Sequence, residues 1–318
     1  MTQFQLGEMI SLRKEYGNNL VRLANLDPKV VGLDGEVSNS TFAYLLKEKY
    51  PERFLEMYIA EQNMLSVALG ISLRGYKPFV STFGAFLTRA FDQIRMSQYS
   101  KANLKIIGTH CGVAIGEDGP SQMALEDISM FRSIQGSIIL YPSDANSLSR
   151  QMDLMHNFNG ISYARVTRGE LPILYSDNEK FEIGGSKTFF ESESNQITLI
   201  GAGVTLHECL RARQILKNNY NIDSRVIDLY SIKPIDITTI NKAIKETSAV
   251  LVVEDHYQSG GIYEAIQSQC PSPKIKSLCV KITPRSGKPE ELLKYAKIDA
   301  ESILEAVVKT HNLEIFEV

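Results

Sequence analysis

Short apolar runs alternate with helix-period segments along nearly the whole chain, and this alternation narrows the fold more than any other feature. The runs KVVGL (29–33), KPFVST (77–82), NLKIIGTH (103–110), SIILYP (137–142) and GISYARV (160–166) are continuously apolar at their centres. Strands that expose one face to water alternate instead, so these predict a parallel sheet covered on both sides. Helical patterns near 9–25, 61–74, 84–98, 124–133 and 144–157 fall between them. The first half therefore reads as a doubly wound α/β domain.

The rhythm changes after Arg168. Residues 169–195 hold turn formers and charge, and read as a linker leading into a hairpin. A second alternation follows: QITLIGAG, a helix from Thr205 to Lys217, SRVIDLYS, a helix near 236–247, AVLVVEDH, a helix near 261–269, then KSLCVKI. The expected layout is two doubly wound α/β domains, 1–185 and 186–318, the first with a mainly parallel sheet. A length of 318 residues, more than one core usually serves, agrees with two domains.

Charge and cysteine content exclude several classes. A formal charge of −3 offers no general pull toward nucleic acid or anionic membrane. No apolar run is long enough to span a bilayer, and MTQFQLGEMISLRKEYGNNL reads as a mixed-charge amphipathic helix, not a signal peptide. Cys111, Cys209, Cys270 and Cys279 form no CxxC pair and no metal-ligand spacing. The expectation is a soluble cytoplasmic protein without disulfides and with no metal site of its own.

Three stretches hold residues suited to chemistry. In MYIAEQNMLSVALG (57–70), Met64, Leu65, Ala68 and Leu69 lie three, four, seven and eight residues beyond Glu61, so the carboxylate shares a helix face with the apolar stripe. Spacing leaves two readings open. Glu61 is a first-turn acid favoured by the helix dipole, or a carboxyl in an apolar pocket, its pKa raised, sharing a proton with a ligand nitrogen. In STFGAFLTRAFDQIR (81–95), Phe83, Phe86, Leu87, Ala90, Phe91 and Ile94 keep helical spacing, as a core stripe or as a stacking wall for a flat ring. The Gly-rich loop GTHCGVAIGEDGPSQMALED (108–127) follows a strand and carries His110, Glu117, Asp118 and Gln122. The carboxyl end of a parallel strand is where α/β sheets place ligands. Taken alone, Arg13 reads as a solvated helix residue, Ser40 as a helix cap and Arg168 as a linker charge.

Together with YPSDAN, IGAGVTLHE, SIKPID, VVEDHY and PRSGKPEELL, these stretches closely resemble the carboxyl-terminal half of transketolase, in order and at family-like spacing. EQNM and GPSQ resemble the animal-type branch. The resemblance implies thiamine diphosphate as cofactor, with Glu61 hydrogen-bonding a ring nitrogen of the aminopyrimidine to favour its imino tautomer. Phe83 and Phe86 match the aromatic residues packing on that ring, and Glu36 stands where the family usually has aspartate; these complete the implied cofactor contacts. Asp118 matches an acid that contacts sugar hydroxyls. Arg13, Ser40, His110 and Arg168 match phosphate ligands of the substrate. Gln122 stands where microbial enzymes carry a catalytic histidine, so the implied catalytic set is Glu61, Gln122 and His110.

The family's GDG…N motif for the diphosphate and its metal is missing. GLDGE (32–36) mimics it, but Leu33 breaks the first Gly–Asp pair, and IGAGVTLHE has Leu206 at the third glycine of a dinucleotide fingerprint. His256 reads as structural. The resemblance thus implies a split enzyme: a separate N-terminal transketolase subunit would hold the diphosphate with Mg2+ or Ca2+, in an α2β2 assembly acting on sugar phosphates. Other readings are the beta subunit of a 2-oxo-acid dehydrogenase, a deoxyxylulose-phosphate synthase-like subunit, a transketolase-like subunit of a specialised sugar pathway, and a non-catalytic scaffold keeping the fold.

Overall fold

Every residue of the strands Val30–Asp34, Lys105–Thr109, Ile138–Leu140 and Ser162–Arg165 is buried, the two-sided covering that continuous apolar runs require. The computed structural model describes residues 4–310; positions 1–3 and 311–318 of the expected domain spans lie outside the described residues. In chain order the strands are β1 (Met9–Ser11), β2 (Val30–Asp34), β3 (Phe54–Glu56), β4 (Lys77–Phe83), β5 (Lys105–Thr109), β6 (Ile138–Leu140), β7 (Ser162–Arg165), β8 (Glu170–Pro172), β9 (Lys187–Phe189), β10 (Ile197–Gly201), β11 (Ser224–Asp228), β12 (Ser231–Lys233), β13 (Ala249–Tyr257) and β14 (Ile275–Val280).

They form two mainly parallel sheets flanked by helices. The first has the order β12-β6-β7-β5-β4-β2-β3 and the second β14-β13-β10-β11-β9. The edge strands β12 and β9 run antiparallel to their neighbours. Strand order departs from chain order, as in doubly wound sheets.

Three expectations need correction. Residues 9–11 are a strand, not the start of a helix: β1 pairs antiparallel with β8, and the Ser11 hydroxyl caps the helix Leu12–Leu26 by accepting from the Lys14 N–H. The linker does not lead into a hairpin, because its two short strands take distant partners, β1 for β8 and β11 for β9. The aromatic stripe after Phe83 is not one helix. It runs as a 3-10 helix over Gly84–Ala90 and becomes α-helical at Phe91–Tyr99, which divides its side chains between core and site.

Motifs far from any ligand position join the two sheets. In YPSDAN, the Asp144 carboxylate accepts from the Ser147 N–H as a helix cap and from the Leu174 and Tyr175 N–H groups. Ser143 donates to Asp228 on β11 at 3.0 Å and accepts from the Gly203 N–H of the IGAG turn at 2.9 Å. Tyr175 also donates to Asp228, at 2.7 Å, and burial pushes the Asp228 carboxyl up to about 7.

Candidate active site

The parallel strands β2, β4 and β5 are neighbours and end together, so the loops that leave them share one edge of the sheet. Phe83 closes β4, and the 3-10 turn after it brings Phe86 back onto its ring, with centroids 5.1 Å apart at 20°. His110 follows β5 in the left-handed region at φ 55°, and its imidazole stacks on the other side chain of this pair, 3.8 Å from the Phe83 centroid. Leu87, Ala90 and Ile94 of the same stripe point into the core and are fully buried. The core reading of the stripe therefore holds for these three residues.

Glu61 opens the helix Glu61–Leu73 and is only 3% exposed. Met64, Leu65 and Ala68 lie buried beneath it, as their spacing predicts. Glu61 is a first-turn acid as well as a buried one, and its carboxyl sits in an ion pair, not in a purely apolar pocket. Arg89 Nη1 lies 2.5 Å from Glu61 Oε1, and the same guanidinium sits 4.6 Å from the Phe86 centroid. A buried carboxylate without a counter-charge is costly, and Arg89 offsets that cost. Arg89 is itself half exposed, and the pair faces a pocket of about 580 Å3 lined also by Ile59, Ala60, Gln62 and Asn63.

At the opposite end of this aromatic row stand two arginines. Arg13 Nη1 lies 3.4 Å from His110 Nε2 and donates to the Ser40 carbonyl at 2.7 Å, while Arg13 Nε donates to the Arg168 carbonyl at 2.9 Å. Arg168 pairs with Asp118 at 3.1 Å and donates to the Ile115 carbonyl. Burial, then the nearby Arg168 charge, lower the Arg13 pKa. Burial and both arginines push His110 down to about 3. His110 is therefore neutral near pH 7. Since a guanidinium only donates, Nε2 accepts, which leaves the proton on Nδ1, 3.0 Å from Thr109 Oγ1.

The structure thus links Glu61, Arg89, Phe86, Phe83, His110, Arg13, Arg168 and Asp118 in one continuous series of contacts. Ser40 joins through its carbonyl. Glu36 stands apart: it is exposed, left-handed at φ 64°, and its N–H donates to Glu56. Gln122 is half-buried at the end of the turn Pro120–Gln122, its N–H bonded to the Gly119 carbonyl. Three residues escaped the sequence reading. Arg89 lay inside a stretch read for its aromatic residues. Asp34 lay in GLDGE, read only as a failed motif. It is fully buried, accepts from Thr41, Ser81 and the Val37 N–H, and is pushed up to about 7 by burial. Asp255 lay in VVEDHY beside the histidine that drew attention.

Fold and site define a two-domain, doubly wound α/β protein with a row of aromatic and charged side chains along the carboxyl edge of its first sheet, a buried acid at one end and two arginines at the other. Residues 8–173 match the transketolase pyrimidine binding domain and residues 186–303 the transketolase C-terminal domain. The chain belongs to the transketolase family. It is 47% identical to human transketolase over 312 residues, which is 96% of this chain and 50% of that protein. To transketolase-like protein 1 of Bos taurus it is 48% identical over 309 residues, 96% of this chain and 52% of that one. The chain spans about half the length of the curated relatives it matches. Among solved structures, a split gene transketolase described as an inactive beta4 tetramer superposes with a TM-score of 0.84 at 32% identity, covering 97% of this chain and 100% of that one. Transketolase from Campylobacter jejuni gives 0.83 at 20% identity, covering 96% and 47%, a likeness of fold alone.

Proposed function

We propose that this chain is the pyrimidine-side subunit of a split transketolase, which moves a two-carbon ketol unit from a ketose phosphate to an aldose phosphate. The observation that carries the reading is the unbroken series from the buried Glu61 carboxylate, through Arg89 to Phe86, Phe83 and His110, and on to Arg13 and Arg168. One end suits a flat, proton-sharing heterocycle and the other a phosphate. The chemistry of the Glu61 pocket fits the aminopyrimidine of thiamine diphosphate: a carboxylate beside stacked aromatic rings. When bound, that cofactor supplies an electron sink for cleaving a carbon–carbon bond next to a carbonyl.

The chain's own residues then divide the work. Glu61 leaves Arg89 and shares a proton with a pyrimidine nitrogen, while Phe83 and Phe86 hold the ring plane. His110, neutral, donates or accepts at the sugar without carrying charge, and Asp118 orients sugar hydroxyls. Arg13 and Arg168 grip the phosphate. Gln122 acts at the substrate from the loop after β5, and Glu36, which stands apart from the row in this chain, contacts the cofactor only in the assembled enzyme. A separate N-terminal subunit holds the diphosphate and its Mg2+ or Ca2+, completing an α2β2 enzyme in the cytoplasm, in the pentose phosphate pathway or a specialised sugar pathway. The split gene neighbour, recorded as an inactive tetramer of beta chains, supports the view that this half alone associates but does not turn over. The domain division is placed near residue 185.

The test is reconstitution. Mixed with a partner carrying a GDG…N motif, thiamine diphosphate and magnesium, the chain should transfer ketol units between sugar phosphates and leave 2-oxo acids untouched. Activity of the chain without a partner, or preference for a 2-oxo acid, overturns the reading.

A further inference from the structure

We infer that Asp255, on the second sheet, is a positioning residue that holds the substrate loop of the first. Asp255 is 1% exposed and lies in the carboxyl half of β13 (Ala249–Tyr257). Its carboxylate points away from its own domain: Oδ1 accepts from the Val113 N–H at 2.8 Å and Oδ2 from the Ala114 N–H at 3.4 Å. Those amides begin the turn Val113–Asp118, which ends in the acid that pairs with Arg168 and whose Ile115 carbonyl takes a second Arg168 bond. Gly112, just before them, has φ 87°, and a Cβ there would stand 2.0 Å from Asp255 Oδ2. The loop approaches this carboxylate closer than any side chain permits.

The far end of the loop is tied to the same place. Arg165, fully buried on β7, donates through Nη2 to the carbonyls of Ala124 at 2.8 Å and of Asp255 at 2.9 Å, and through Nε to Asp127 at 2.8 Å. Both ends of the segment 112–124 therefore close on Asp255, one on its side chain and the other, through Arg165, on its backbone. The second domain reaches no atom of the Glu61 pocket through these contacts. Its effect falls on the residues at the sugar-phosphate end, which is where this inference rests on the proposed function.

The experiment compares Asp255→Ala, Asp255→Asn and, as a control on the adjacent residue, Glu254→Gln, whose carboxylate accepts from the Ile262 and Tyr263 N–H groups of its own domain. In the chain by itself, amide hydrogen exchange across 113–118 should quicken at least ten-fold in Asp255→Ala, less in Asp255→Asn, which keeps one acceptor oxygen, and not in Glu254→Gln. In the reconstituted complex, Asp255→Ala should raise KM for a ketose phosphate about ten-fold, Asp255→Asn should recover part of the loss, and thiamine diphosphate binding should change less than two-fold. Equal exchange at 113–118 in both alanine and control variants overturns the clamp; should Asp255→Ala fail to fold, unchanged exchange in Asp255→Asn does so. A wild-type complex without ketol transfer overturns the functional reading and leaves the exchange result to decide the clamp.

Discussion

Arg89 binds Glu61 and caps the face of Phe86 with the same guanidinium. A ligand ring that takes the carboxylate and stacks on the aromatic pair must compete with Arg89 for both, and half of the Arg89 side chain is already in water. Replacing Arg89 by methionine removes the competitor while keeping a long apolar stem over Phe86. The reconstituted Arg89→Met enzyme should bind thiamine diphosphate several-fold more tightly, measured by titration of intrinsic fluorescence. Weaker binding would show that Arg89 itself belongs to the cofactor site.

Glu61→Gln keeps the size and polarity of the side chain and removes its ability to take a proton. Ketol transfer in the complex should fall by about 10² or more, the usual scale for losing a general acid–base group. The melting temperature should not drop, since the glutamine no longer asks for a buried counter-charge. Turnover within a factor of ten of wild type would sink the proton-sharing role.

Arg13 and Arg168 test the other end of the row. Lysine keeps the charge but not the planar fork, so Arg13→Lys and Arg168→Lys should each raise KM for a ketose phosphate about ten-fold, or ~1.4 kcal/mol. A donor without phosphate should be nearly indifferent to both. Equal losses on the two donors would move these arginines from phosphate binding to holding the loop.

His110 is lowered to about 3 by burial and by its two arginine neighbours, far beneath the ordinary value near 6.5. It does not titrate between pH 5 and 9. Replacing it by asparagine should lower kcat/KM by the same factor at every pH in that range. A variant profile that loses an acid limb present in the wild type would mean that His110 carries a proton there.

Asp228, pushed up to about 7 by burial at the joint between the sheets, makes stability depend on pH. An unfolded aspartate releases its proton near 3.9, so between roughly pH 4 and 7 the folded protein holds a proton that the unfolded chain has lost. Stability therefore falls as pH rises through this window, by up to ~1.4 kcal/mol per unit for one such group. Denaturant melts at a series of pH values should show a flatter slope in Asp228→Asn, and an unchanged slope counts against the assignment.

Much of the fold was legible because continuous apolar strands and helix-period stripes follow local rules that the rest of the molecule does not override. β2, β4, β5, β7 and the helix at Glu61 lie within a residue or two of where periodicity puts them. Of the three-residue strands described, β6 was legible inside the apolar run 137–142, and the others were not. β3, β8, β9 and β12 are three residues each, too few to show a period, and their identity depends on distant partners. The grouping of Phe83, Phe86, His110, Arg13 and Arg168 was suggested by motif resemblance, whereas bare spacing left Arg13 as a solvated helix residue and Arg168 as a linker charge. Arg89 and Asp255 were hidden for a related reason: a counter-ion or an interdomain acceptor is defined by what folds up against it, and neither leaves a trace in its own neighbourhood of the chain.

β12 departs from the second half of the chain to pair with β6, the outer parallel strand of the first sheet, and the ammonium of its last residue, Lys233, donates to the Arg132 carbonyl and the Ser137 hydroxyl. The two lobes are laced, not hinged. Swinging them apart would strip an edge from a seven-stranded sheet, so the body of the molecule moves as one piece and any rearrangement falls to its loops.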